Sequence, residues 1–269
     1  MDARTRIMGI VNVTPDSFYD GGRFLDPEKA IQYAAGLAAD GADILDIGGE
    51  SSRPGAEPVS PLEEQKRILP VIEKACMFGP RVSVDTYHAD TARRALELGA
   101  AMVNDITALR GDPAMAETVA QAGCECVLMH MLGTPKTMQE APRYTDVVSD
   151  ICAFFEERIA FAVREGIRED RIWLDPGFGF GKTVEHNLDI LRRLHEFRRF
   201  GRPVLIGTSN KSTIGTVLNL PVQDRLEGTA ATVAIAIWNG ADAVRVHDVR
   251  AMGRVARMCD AIKGTTQHV

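Results

Sequence analysis

Seven polar side chains stand at or just past the ends of short apolar runs: Asn12, Asp85, Asn104, Asp175, Lys211, Arg245 and His247. Carboxylates and amides accept and exchange hydrogen bonds, which suits a flat heterocycle edged with N–H and NH₂ groups. Ammonium, guanidinium and imidazole groups suit a phosphate-type anion, and Arg53 joins them from the loop after the second run. The chain carries a net charge of −6, so cations gathered at one place focus an anionic substrate. Any one of these residues reads equally well as an ordinary strand terminus. Seven together do not, because a buried polar group without a partner costs about 1–3 kcal/mol.

The apolar runs supply the frame. Candidate strands cover 6–13, 42–49, 81–86, 101–106, 124–130, 171–177, 203–209 and 243–249, all short and rich in Val and Ile. Amphipathic stretches alternate with them, one over 27–41 and others starting near Pro61, His88, Asp112, Tyr144, Val184, Asp224 and Arg250. Gly41, Gly99, Gly123, Gly166 and Gly240 read as helix ends. Eight such units predict one parallel sheet in an α/β chain. A single-domain (β/α)₈ TIM barrel over 1–269, with its core over about 6–262, is expected rather than an open sheet. No dinucleotide fingerprint follows the first strand, and polar residues end every strand rather than one switch point.

Period-two alternation then sorts the side chains. Met8, Ile10, Asn12, Ser83, Asp85, Met102, Asn104, Met129, Trp173, Asp175, Arg245 and His247 face inward. Val82, Val84, Val244 and Val246 face the helices, and His130 falls outside the inner set. The segment from Pro176 to Thr183 looks like a phosphate loop, but its first glycine position falls on Pro176 and the spacing fails. A tight glycine loop that brings Phe178 and Phe180 to the mouth is expected instead. Two long loops, 12–22 and 50–57, have the composition of mobile lids.

Several classes are excluded. No basic stretch interleaved with aromatics is present, so no nucleic-acid surface is expected. Five cysteines without a CxxC pair read as free thiols in a reducing cytoplasm. No apolar run of about 18 residues and no leader are visible, so neither a membrane span nor secretion is expected.

The motifs NVTPDSF, ESSRPGA, SVDT, ND, DPGFGFGK, SxKS and RVHDV follow one another on successive strands over about residues 7–262. In that order they resemble the dihydropteroate synthase family. The resemblance implies a transferase of folate biosynthesis and the target of sulfonamides. The implied reaction joins a dihydropterin methyl diphosphate to p-aminobenzoate, releasing pyrophosphate, by an SN1-like step without a protein nucleophile. It implies Mg²⁺ as cofactor, near Asn12, and a homodimer. Asp85, Asn104, Met129, Asp175, Lys211 and Arg245 then match the pterin contacts, with Asp85, Lys211 and Arg245 as catalytic residues. Asn12, Ser52, Arg53, Arg245 and His247 match the diphosphate contacts, and Pro54, Phe180, Lys211 and Ser212 the p-aminobenzoate pocket. Ser212 is expected near a helix start, facing the p-aminobenzoate carboxylate. Two residues depart from the family pattern: Asn210 stands where Arg is usual, and Tyr19 where smaller residues are common. A corrinoid-dependent pterin methyltransferase shares the barrel but has no use for Arg53 and the long first loop. A non-catalytic pterin-binding paralogue is the reading that Asn210 leaves open.

Overall fold

A computed structural model describes residues 4–14, 27–51, 55 and 57–264. Tyr19, Ser52, Arg53 and Pro54 lie outside the described residues, as do most of the two long loops. Eight strands alternate with helices: β1 (Arg6–Asn12), α1 (Pro27–Ala39), β2 (Ile44–Gly48), α2 (Pro61–Ala75), β3 (Arg81–Asp85), α3 (Ala89–Glu97), β4 (Met102–Asp105) and α4 (Met115–Ala122). There follow β5 (Glu125–Met129), α5 (Val147–Arg164), β6 (Ile172–Asp175), α6 (Val184–Arg192), β7 (Leu205–Ile206), α7 (Ser212–Leu218), α8 (Leu226–Trp238), β8 (Ala243–Val246) and α9 (Val249–Lys263). All pairings are parallel, in the spatial order β6-β5-β4-β3-β2-β1-β8-β7. A single bridge between Leu174 and Val204 joins the two ends and closes the barrel.

Alternation builds two cores. Met8, Ile44, Met102, Val127, Trp173, Leu205 and Ala243, one from each of seven strands, fill the barrel interior. Ser83 is the fully buried inward residue of the remaining strand. The outward set, including Val11, Leu45, Val82, Val84, Val103, Leu128, Leu174, Val244 and Val246, packs against the helices. This is the arrangement of a filled barrel, with the polar positions displaced to its C-terminal end. Helix starts are fixed by side-chain caps, each worth about 1 kcal/mol. Ser60 caps α2, Asp146 caps α5, Thr183 forms a capping box with His186 on α6, and Asp248 caps α9. The five glycines read as helix ends all have positive φ.

Two expectations change, on the seventh strand and on Phe178, while the one on Ser212 holds. The seventh strand is two residues long rather than seven: Pro203 has no N–H for a ladder, and the chain turns after Gly207. Ser212 does open a helix, but that helix, α7, is a short extra turn before α8. Phe178 does not reach the mouth. It is 1% exposed and lies in the outer core, because Gly177, Gly179 and Gly181 take positive φ and the loop loses strand alternation. Gly177 has no substitute there: a Cβ would come 1.9 Å from the His130 carbonyl oxygen. No helix among the described residues is long and apolar enough to cross a membrane.

Candidate active site

The C-terminal ends of the strands form one rim, in the register Asn12–Gly48–Asp85–Asn104 across β1 to β4 and Met129–Asp175 across β5 and β6. Arg245 enters from β8, and Lys211 follows β7 at the start of α7. Gly48 leaves its rim position without a side chain; a Cβ there would stand 3.1 Å from that of Asp85. The space above the centre of the barrel is kept open in this way.

One hydrogen-bonded chain crosses the mouth. Arg245 donates from Nε to Asp46 and from Nη2 to Asp85, both at 2.6 Å. Asn104 donates from Nδ2 to the same Asp46 oxygen at 3.0 Å. Asp46 is wholly buried one layer below the rim, and it is not among the strand-end residues that the sequence singles out. Alternation on β2 does place it inward with Ile44 and Gly48, but attention to strand ends alone passes it by.

Three atoms in this chain and beside it are buried without a hydrogen-bond partner among the described residues: Asp46 Oδ1, Asn104 Oδ1 and Ser83 Oγ. Orphaned polar atoms of this kind are rare in native proteins, and the two acceptors, on Asp46 and Asn104, mark places where a donor from elsewhere belongs.

Burial raises the pKa of Asp85 to about 7 against the pull of Arg245, with Asp46 adding to the rise. Asp175 is also raised by burial, while its bond from the Gly177 N–H at 2.7 Å and the charges of Lys211 and Lys182 oppose the shift. Burial brings Lys211 down to about 8, and the nearby Arg245 pushes the same way against Asp175 and Asp85. Arg245 loses some basicity to burial, but Asp46 and Asp85 more than restore it and its pKa is raised. The rim thus holds a firmly charged guanidinium beside Asp85, whose carboxyl burial keeps well above the usual carboxylate range.

Around this centre, Phe180 lies with Met129, Met131, Met138 and Ile106 in a small apolar cluster, and the Lys211 ammonium sits 4.1 Å from the Phe180 ring centre. His247 shares a 2.9 Å hydrogen bond with Ser209, and its own N–H donates to the same hydroxyl. Asn12 is half-buried at the end of β1, and Ser212 is exposed. The pair Asn104-Asp105 divides its labour. Asn104 faces in, while Asp105 faces out and accepts from Thr107 N–H, Thr107 hydroxyl and Leu109 N–H at 2.7, 2.7 and 2.8 Å. Those bonds hold Ala108 and Leu109 at φ 53° and 65°, a conformation that costs about 1–3 kcal/mol per residue.

Asn210 also has positive φ, 57°, which Asn tolerates better than Arg does. Its carbonyl accepts from Arg225 Nη1 at 2.9 Å, so a guanidinium from before α8 ties down the loop. Among the described residues, no group of three or more His, Cys, Asp or Glu side chains is placed to hold a metal ion.

A parallel barrel with this mouth matches a family model described as pterin binding enzyme over residues 8–247, and the chain is a pterin-binding enzyme of that class. The dihydropteroate synthase of Bacillus subtilis is 46% identical over 268 residues, covering 98% of this chain and 92% of that protein. A crystal structure of the Yersinia pestis dihydropteroate synthase in a sulfonamide drug complex superposes with a TM-score of 0.93 at 42% identity, over 98% of this chain and 96% of that one. The Xanthomonas albilineans enzyme with 4-aminobenzoic acid gives a TM-score of 0.91 at 43% identity, over 97% and 93% of the two chains. The chain belongs to the dihydropteroate synthase family. The methyltransferase and non-catalytic readings are set aside accordingly.

Proposed function

We propose that the rim binds a dihydropterin methyl diphosphate flat across the barrel mouth and joins its methylene carbon to the amine of p-aminobenzoate. The carrying observation is the Asn104–Asp46–Arg245–Asp85 chain with its unpartnered buried acceptors. Asn104 Oδ1 and the free oxygen of Asp175 accept N–H groups of the aminopyrimidine edge, at about 1.5–3 kcal/mol for a charged acceptor. Arg245, held on both sides by carboxylates, packs on the pterin face, Met129 supports it, and Lys211 donates to the pterin from the other side. The C–O bond to the diphosphate breaks, and the dihydropterin delocalises the positive charge left at the methylene. Asp85 stabilises that cation in its ionised form. The amine of p-aminobenzoate then attacks, a C–N bond forms, and the amine loses its proton to solvent. The products are 7,8-dihydropteroate and pyrophosphate.

Arg53, Ser52, His247 and Arg245 take the diphosphate in this reading, while Pro54, Phe180, Lys211 and Ser212 take p-aminobenzoate. Asn12 fits a Mg²⁺ ion: its amide oxygen is a hard donor at the rim, and Mg²⁺ needs few protein ligands when substrate phosphate oxygens and water complete its shell. The ion would supply charge neutralisation to the departing pyrophosphate.

Exposed Val217, Leu226, Ile235, Trp238, Met258 and Ile262 on α7, α8 and α9 support a homodimer. The five free thiols suit a reducing cytoplasm. The test of the reaction is pyrophosphate release from the pterin diphosphate, p-aminobenzoate and Mg²⁺. Release above background only when all three are present supports it; pterin binding without release refutes it.

A further inference from the structure

Lys182, the residue that gives the glycine loop its likeness to a phosphate loop, takes no part in the condensation described above. It is nonetheless buried, with 3% of its surface exposed. Its Nζ lies 2.9 Å from the Phe180 carbonyl oxygen, 3.3 Å from the His130 carbonyl oxygen and 3.0 Å from His130 Nδ1. The two carbonyls can only accept. Burial, and then the charges of Lys182 and Arg110, hold His130 neutral, with a pKa pushed down to about 2. In the tautomer protonated at Nε2, Nδ1 accepts from Lys182 as well, and the ring stands edge-on against Phe154 at 4.9 Å. The ammonium form of Lys182, with three N–H groups, satisfies all three of these acceptors at once.

This cage joins two segments that are 52 residues apart. One is the end of β5, which carries Met129. The other is the glycine loop, which carries Phe180 and begins at Asp175. We propose that Lys182 is a positioning residue for the condensation: its ammonium clamps the glycine loop to the end of β5, sets the Phe180 ring under p-aminobenzoate, and supplies a second nearby cation to Asp175. The proposal rests on the reaction assigned above. Burial lowers Lys182 to about 7, with Asp175 opposing and Lys211 reinforcing that shift. The charged groups facing Asp175 are Lys211 from the start of α7, Arg245 from β8 and Lys182 itself.

Steady-state kinetics of pyrophosphate release in the full-length protein test it, beginning with the wild type. An inactive wild type sinks the assigned reaction; an active wild type makes the variants informative about Lys182 alone. In Lys182→Met, KM for p-aminobenzoate rises about tenfold while kcat changes less, because the ring is displaced rather than the chemistry removed. The acid limb of kcat/KM for the pterin diphosphate moves up by about one pH unit as Asp175 loses a neighbouring cation. Lys182→Arg keeps the charge but cannot place one nitrogen among three acceptors, so it raises KM for p-aminobenzoate and leaves the acid limb at its wild-type position. A purely structural lysine would lower Tm and the yield of active enzyme in both variants without moving KM or the limb, and that result overturns the proposal. If Lys182→Met does not fold, His130→Asn carries the test. An unchanged KM for p-aminobenzoate there also overturns it, and a rise of about threefold supports it.

Discussion

The two ends of the barrel use the same residue types to opposite effect. At the N-terminal end, Arg81 pairs with Glu125, Arg4 makes a two-pronged pair with Asp43, and Asp43 also accepts the Ile7 N–H at 2.8 Å. Arg6 lies over the Trp173 ring at 5.0 Å. These pairs satisfy one another, and the buried atoms left over near this end among the described residues are donors, Arg171 Nε and Arg202 Nε. At the C-terminal end, Asp46, Asp85 and Arg245 are more deeply buried, and two acceptors on Asp46 and Asn104 are left over. Satisfied charges close a fold, whereas surplus acceptors held in place by a guanidinium are disposed to receive a ligand.

Four measurements sharpen or break that contrast. Asp46→Ala should have the largest effect on stability. It leaves Arg245 and Asn104 short of a buried partner, a loss of about 3–5 kcal/mol that urea unfolding would read; a loss under 1 kcal/mol would mean the mouth is no more tightly coupled than the base. Asp175→Asn should cost about 3–4 kcal/mol of transition-state stabilisation, or roughly 100- to 1,000-fold in kcat/KM. Near-wild-type kinetics would remove Asp175 from the site.

The third measurement is pH dependence. The folded-state pKa of Asp85 is raised from 3.8 to about 7, so between those values the folded protein holds a proton that the unfolded chain has released. Asp85 therefore makes stability fall as pH rises through that window. The same ionisation creates the anion that stabilises the methylene cation, so kcat should rise toward pH 7. Asp85→Asn should flatten both slopes, and two unaltered slopes would assign the titration to another group.

The smallest effect belongs to the base. Arg81→Met breaks a half-exposed ion pair, worth about 0.2–1 kcal/mol, and should leave kcat/KM within about twofold. A loss of activity would show that the two ends are not independent.

Much of this was legible in the sequence, because barrel strands obey a period of two and the turns carry glycine. Asp85, Asn104, Met129, Asp175 and Arg245 all face the mouth as alternation requires. Legibility fails where a residue's role depends on a partner distant in sequence. Asp46 sits mid-strand, and its partner Arg245 is 199 residues away. Lys182 is read as a failed phosphate-loop lysine until His130 stands beside it. The glycine loop brings Phe180 but not Phe178 to the mouth, because a turn with three glycines at positive φ sends neighbouring aromatics to different sides. The short seventh strand follows from Pro203 and Gly207, whose effect on a ladder depends on which edge they occupy.

That short strand has a further consequence. The barrel is sealed between β6 and β7 by the Leu174–Val204 bridge and a 2.9 Å bond from the Leu174 N–H to the Pro203 carbonyl, where other neighbours share several. Amide protons along this seam should exchange with solvent by local opening sooner than those between β1 and β2. Asp175 stands on one side of the seam and Lys211 follows the strand on the other. A pterin held by both would act as a staple across the weakest join in the barrel, and binding would be read as slowed exchange there.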